Sequence, residues 1–154
     1  MNKLLRKENQ NFLYYSFDEE EQEVLLAKMS EVLIEAGFVH ESYQKAVIER
    51  ERVFPTGLPT KGISVAIPHT DSIHVKKAGF LVGVLEKPVT FEMMASKDVF
   101  LEVELIFMLA IKQPEDQLVM LQKLMMLCQD EQNLQLLKAK EQVVEVEQLL
   151  KTIQ

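Results

Sequence analysis

The segment Ile63-Ser64-Val65-Ala66-Ile67-Pro68-His69-Thr70-Asp71-Ser72-Ile73-His74 holds the groups best suited to chemistry. A short β-branched run ends at Pro68, and a histidine follows at once. Proline fixes its own φ and pushes the residue before it towards extended geometry, so the spacing sets His69 at the end of a strand. Strand ends in α/β folds are common places for ligand sites. Three readings of His69 stand side by side. It is a turn histidine without a role; it is a metal ligand with Asp71 and His74; or it is a nucleophilic imidazole that takes a group covalently and passes it on. Neutral imidazole keeps a free lone pair near pH 7, which suits the third. A phosphohistidine at 69 needs donors for the new oxygens. Arg50, the Thr56 hydroxyl, the Thr70 hydroxyl and loop amides around Gly57 are the candidates. Arg50 also reads as a solvated helix charge beside Glu49 and Glu51.

The elements that must position these groups can be read from periodicity. Residues 18–36 read as a helix, with Asp18 to Glu21 in its first turn, Val24, Leu25, Met29, Val32 and Leu33 recurring at helical spacing, and Gly37 as a stop. Ser42 is placed to cap a second helix ending near Arg52, with Tyr43, Ala46 and Val47 inward. Phe54 to Gly62 is loop by composition. Strands are expected over residues 63–67, 78–85, 89–94 and 103–111, with a turn at Lys87-Pro88 between the middle two. A helix over 115–129 carries Leu118, Leu121, Leu124, Met125 and Cys128 along one stripe, and shorter helices follow over 131–139 and 141–153. The fold class is therefore α/β (α+β mixed): one central mixed sheet of about four to five strands flanked by helices.

Composition bounds the function from outside. The 154 residues suit one domain spanning 1–154. The net charge of −7 argues against a broad nucleic-acid face. Cys128 is the only cysteine, so no internal disulfide and no cysteine-based zinc site is expected; packing is its expected role. The N-terminal stretch to Phe12 has basic residues without an apolar run after them, so no signal peptide is expected. The longest apolar run, Leu105 to Ile111, is far too short to span a bilayer. A cytoplasmic protein without membrane insertion is the expectation.

Arg50-Glu51, Pro55-Thr56-Gly57-Leu58, Gly62-Ile63 and Ala66-Ile67-Pro68-His69 together resemble the EIIA component of the bacterial phosphoenolpyruvate-dependent sugar phosphotransferase system, fructose/mannitol type. The common form runs Gly-Ile-Ala-Ile-Pro-His-Gly. Here Ser64 and Val65 are extra and Thr70 follows the histidine. Those departures, with Phe-Pro-Thr-Gly over residues 54–57, Asp71 two after the histidine and His74 five after it, resemble the galactitol-specific branch. The position of the family's second active-site histidine matches Gln117, before Leu118.

The resemblance implies a role for each residue. His69 is the phosphoacceptor, loaded by phospho-HPr and unloaded onto a cysteine of the cognate EIIB, which serves a membrane EIIC. Arg50 binds the phosphoryl oxygens. His74 and Gln117 orient the imidazole or bond the phosphate. Asp71 holds an imidazole tautomer, or is simply a turn aspartate. One arginine with neutral donors suits a reversible carrier, so no metal or cofactor is expected. An exposed apolar rim around His69 is expected for transient partners, with Met93, Met94 and Met108 as candidates for it or for the core. The acidic balance suits a basic partner such as HPr. Two other functions remain open: a regulatory EIIA-like module controlling a partner by its phosphorylation state, and a metal-dependent hydrolase using His69, Asp71 and His74.

Overall fold

Runs of β-branched and aromatic residues fill a pleated sheet, and amphipathic segments cover it. The computed structural model describes residues 2–5 and 10–154. Its elements are β1 (Asn2–Leu5), β2 (Phe12–Phe17), α1 (Gln22–Glu35), α2 (Ser42–Val53), β3 (Gly57–Leu58), β4 (Ser64–Ala66), β5 (Gly79–Glu92), β6 (Phe100–Ala110), α3 (Asp116–Gln129), α4 (Glu131–Ala139) and α5 (Val143–Lys151), with a 3-10 turn over Ser72–His74. Arg6 and Lys7, two of the three basic residues of the N-terminal stretch, lie outside the described residues.

The strands form one mixed sheet in the order β1-β2-β5-β6-β4-β3. β2 runs parallel to β5 and β4 parallel to β6, while the other three pairs are antiparallel. The sheet thus has six strands rather than four to five. β1 and β2 are the additions that periodicity missed. Every residue of β2 is buried, so it shows no polar alternation to read. β3 lies inside the stretch expected to be loop.

The two strands expected around Lys87-Pro88 are one continuous strand, β5. Val84 pairs with Leu105 and Val89 with Val103, so Leu85 to Pro88 lie opposite Glu104 alone. Glu86, Lys87 and Pro88 are exposed at this bulge, where proline's missing donor costs no ladder bond.

Each face of the sheet carries its own core. On one, Leu13, Tyr15, Leu81, Phe91 and Ile106 pack under Leu25, Met29 and Leu33 of α1 and Tyr43 and Val47 of α2. On the other, Phe12, Tyr14, Val82, Leu105 and Phe107 pack under Leu124, Leu127, Leu134, Leu137, Val146 and Leu150 of α3 to α5. The inward stripe of α3 differs from the expected one. Leu124, Leu127 and Cys128 are buried, whereas Leu118 and Met125 are exposed. Among the described residues, no helix is long and apolar enough to cross a membrane.

Helix starts shift slightly. α1 begins after the acidic run, with Glu21 at its N-cap and Glu23 in its first turn. Ser42 does not cap α2, whose N-cap is Glu41; the Ser42 hydroxyl instead lies 2.8 Å from His74 Nδ1.

Candidate functional site

β4 is three residues long, held between β6 and β3. The chain leaves it through buried Ile67, and the Pro68 carbonyl accepts a bond from Leu109 N–H at 3.0 Å. That bond fastens the segment to the C-terminal end of β6. His69 follows, almost wholly buried. Its Nδ1 lies 2.8 Å from the Ile67 carbonyl oxygen. A carbonyl only accepts, so Nδ1 carries the proton and Nε2 carries the lone pair. The Gln117 side-chain amide, in the first turn of α3, lies 3.4 Å from that Nε2 and donates to it.

Arg50 reaches the site from the last turn of α2. Its guanidinium sits 3.7 Å from Asp71 and 4.9 Å from the centre of the Phe54 ring. Burial pushes the His69 pKa down, and the nearby Arg50 charge adds to this; the Ile67 bond and Asp71 oppose both. His69 is therefore favoured in its neutral form, with Nε2 unprotonated beside the Gln117 amide.

Thr56 sits behind this pair. It is buried, and its backbone N–H and its hydroxyl both donate to the Glu51 carboxylate, at 2.7 and 2.8 Å. Its hydroxyl oxygen also accepts from Ile67 N–H at 3.1 Å. Both donors of Thr56 thus point away from the position expected of a phosphoryl ligand. Glu51, read from sequence as a neighbour charge for Arg50 and as part of the Arg-Glu pair of the resemblance, is buried, and its contact with Thr56 is what that reading missed. The available signal was spacing: Tyr43, Val47 and Glu51 recur every four residues and so share one helical face, with the carboxylate on the inward side.

Thr70 is buried beside His69. With Asp71, Ile73 and Gln117 it lines a cleft of about 290 Å³. Neither His69 nor His74 lines this cleft; the His69 imidazole turns to Ile67 and Gln117, and the His74 imidazole to Ser42. His69, Asp71 and His74 therefore do not converge, and among the described residues no group of three or more His, Cys, Asp or Glu is arranged to hold a metal. A larger cleft of about 640 Å³, lined by Leu58, Lys61, Met125 and Cys128 among others, shares none of the site residues. Burial pushes the Cys128 thiol up to about 12, as expected of a packing residue.

Exposed Phe54, Ile73 and Leu118 flank Arg50, Asp71 and Gln117 along the chain and supply apolar surface around the site. Met108 belongs to the core, while Met93 and Met94 are half-buried, with Met94 N–H donating to the Gly57 carbonyl.

This arrangement offers a neutral imidazole with a directed lone pair, one guanidinium and one neutral amide. Such a set can accept a small anionic group and release it again.

Residues 7–153 match the family model described as phosphoenolpyruvate-dependent sugar phosphotransferase system, EIIA 2. The chain is 31% identical over 97 residues to the galactitol-specific EIIA component of Escherichia coli (strain K12), an alignment covering 63% of this chain and 64% of that relative. In three dimensions it is similar to the IIA mannitol protein of Escherichia coli, with a TM-score of 0.72, 23% identity, and coverage of 95% of this chain and 99% of that one. It is equally similar, at a TM-score of 0.72 and 23% identity over 96% of this chain and 98% of that one, to enzyme IIAMtl of Escherichia coli in complex with phosphorylated enzyme IIBMtl.

Proposed function

The chain belongs to the EIIA 2 family of the phosphoenolpyruvate-dependent sugar phosphotransferase system, and from that membership we propose that it is a cytoplasmic phosphohistidine carrier between HPr and a cognate EIIB. The observation that carries the reading is the His69 imidazole, with its Nδ1 proton committed to the Ile67 carbonyl and its Nε2 lone pair beside Gln117.

In the first half-reaction, His69 Nε2 attacks the phosphorus of phospho-HPr in line. A new N–P bond forms as the donor's N–P bond breaks, and the electron pair of that bond returns to the donor imidazole. The proton stays on Nδ1 throughout, donated to the Ile67 carbonyl oxygen. Phosphoryl transfer asks mostly for positioning and charge stabilisation. Arg50 supplies the positive charge for the phosphoryl oxygens, and the Gln117 amide and Thr70 supply neutral donors. Asp71 holds Arg50 at the rim. In the second half-reaction an EIIB cysteine thiolate attacks the same phosphorus, and the N–P electron pair returns to Nε2. The EIIB phosphocysteine would then pass the group to a sugar hydroxyl held by a membrane EIIC, its S–P electron pair returning to the thiolate. The resemblance to galactitol-specific relatives points to galactitol or a similar polyol as that final acceptor. A single cation and neutral amides hold the group without trapping it, so neither half-reaction calls on a metal or a cofactor.

Incubation with phosphoenolpyruvate, Enzyme I and HPr, followed by intact-mass measurement, tests the first half. One acid-labile phosphoryl is expected on the wild type and none on His69→Ala. Uptake by that variant would overturn the assignment. Passage of labelled phosphoryl to a galactitol-type EIIB tests the second half; a label that stays on His69 would favour a regulatory module.

A further inference from the structure

Glu51 is a buried ionisable residue whose carboxyl oxygens are taken up by Thr56 rather than by the reacting atoms. It is also the start of an unbroken chain of bonds leading to His69. The carboxylate holds Thr56 twice, at N–H and at the hydroxyl. The Thr56 hydroxyl oxygen holds the Ile67 N–H. Ile67 in turn presents its carbonyl to His69 Nδ1. On the other side, Pro68 is fastened to Leu109. Ile67 thus fixes the Nδ1 side of the imidazole, and its own amide is fixed by a side chain rather than by the β4 ladder.

We propose that Glu51 and Thr56 form a positioning pair for His69, in which Glu51 fixes the Thr56 rotamer and Thr56 fixes the Ile67 peptide whose carbonyl selects the Nδ1–H form of the imidazole. The proposal rests on His69 being the phosphoryl acceptor only for its effect on rate; its effect on tautomer is independent of that reading. Two features of the geometry favour positioning over mere stability. A buried carboxylate is a costly way to tie a loop unless both of its oxygens are used in a fixed direction, as they are here. The loop it ties also runs from Arg50 through Phe54, whose ring stacks against the Arg50 guanidinium. One carboxylate therefore sets the nucleophile on one side and the anion-binding cation on the other. Glu51 and Thr56 touch no transferred atom, so neither is a catalytic residue.

The test uses side-chain 15N NMR of the full chain, which distinguishes a protonated ring nitrogen from one with a lone pair, together with steady-state transfer from phospho-HPr. In the wild type, Nδ1 of His69 should read as protonated and Nε2 as free. Thr56→Val keeps the side-chain shape but lacks the hydroxyl. It should lose the uniform Nδ1–H signature and lower kcat about tenfold, roughly the effect of one lost hydrogen bond, with KM for phospho-HPr unchanged. Thr56→Ser retains the hydroxyl and should restore both readouts, which a general packing role for the methyl group would not do. Glu51→Gln can still accept from Thr56 N–H and donate to its hydroxyl, and should keep the wild-type tautomer. If Thr56→Val does not fold, Glu51→Ala is read the same way. A folded Thr56→Val or Glu51→Ala protein with the wild-type His69 tautomer and rate would overturn the proposal. A shifted tautomer in Thr56→Val, alongside a wild type that takes no phosphoryl, would support the positioning pair and sink the carrier reading instead.

Discussion

Arg50 is held in place by a ring on one side and a carboxylate on the other, and that matters for what replaces it. Arg50→Ala removes a half-buried charge whose partners are the exposed Asp71 and Phe54, so the fold should persist while phosphoryl transfer from phospho-HPr falls by about a hundredfold or more. Arg50→Lys should recover little of this, because an ammonium neither stacks on Phe54 as a plane nor presents a fork to two oxygens. Stopped-flow transfer rates on both variants, with melting curves as the control, check this. Glu51 makes a prediction of another kind. Burial pushes its carboxyl up to about 7, against the opposing Thr56 bonds and with some help from the Glu92 charge. A folded value above the unfolded one means the folded state keeps a proton that the unfolded chain releases. Its contribution to stability is full below the ordinary carboxylate range and is lost as pH rises through about 7. His69 works in the opposite sense. Its lowered value makes stability rise as pH climbs through the ordinary histidine range, and fall again on acidification. Glu51→Gln removes only the first effect. Urea denaturation at pH 5 and pH 8 should therefore show the variant gaining, relative to wild type, on the order of 1–3 kcal/mol at the higher pH. An equal difference at both pH values would count against a raised Glu51.

β3 is two residues long and yet decides where Thr56 lies. Gly57 pairs with Ala66 and also bridges to Met93, which presses its α-carbon against the end of β5. A Cβ at that position would stand 2.6 Å from the Glu92 carbonyl oxygen, a backbone atom that cannot swing aside. Gly57→Ala should cost about 1–3 kcal/mol in chemical denaturation and should move the His69 ring resonances, since the residue before it is the one that holds Ile67. A variant with unchanged stability would show that β3 slides freely. These contacts also explain which parts were legible beforehand. The strand ending at Pro68 and the helix carrying Arg50 announce themselves through β-branched residues and 3.6-residue spacing, and both carry candidate site residues. The hidden parts share one physical cause: tertiary pairing that leaves no periodic trace. β2 is covered on both faces, so Phe12 to Phe17 has no alternation to show. Pro88 marks a break in a lone strand, but β5 passes it on a bulge whose existence depends on β6. His74 looked like a partner for His69 by spacing in the chain, and only the 3-10 turn reveals that it faces Ser42. Glu51 needed no structure to be found on the inward face, but it needed Thr56 beside it to have a purpose.

The molecule carries a formal charge of −7, so its encounter with a donor that presents a basic face should be steered. Raising sodium chloride should lower kcat/KM for transfer from phospho-HPr while leaving kcat nearly constant, because screening acts on approach and not on the bound pair. A salt-independent kcat/KM would mean that apolar contacts at Phe54, Ile73 and Leu118 dominate the encounter. The two-core architecture has a further result. Arg50 arrives from the helical layer on one face of the sheet, and Gln117 from the layer on the other, with His69 at the strand end between them. The first turns of α3 are the lightly anchored side: Leu118 and Val119 are exposed, and full burial begins only at Leu124. Local detachment of that helical end requires far less energy than unfolding the sheet. On gentle heating, activity should therefore fade while far-ultraviolet circular dichroism still reports an intact protein, and return on cooling. Amide exchange over residues 116–123 should quicken across the same interval. The carrier would in that case have a working temperature set by one helix end, well below the temperature at which the chain comes apart.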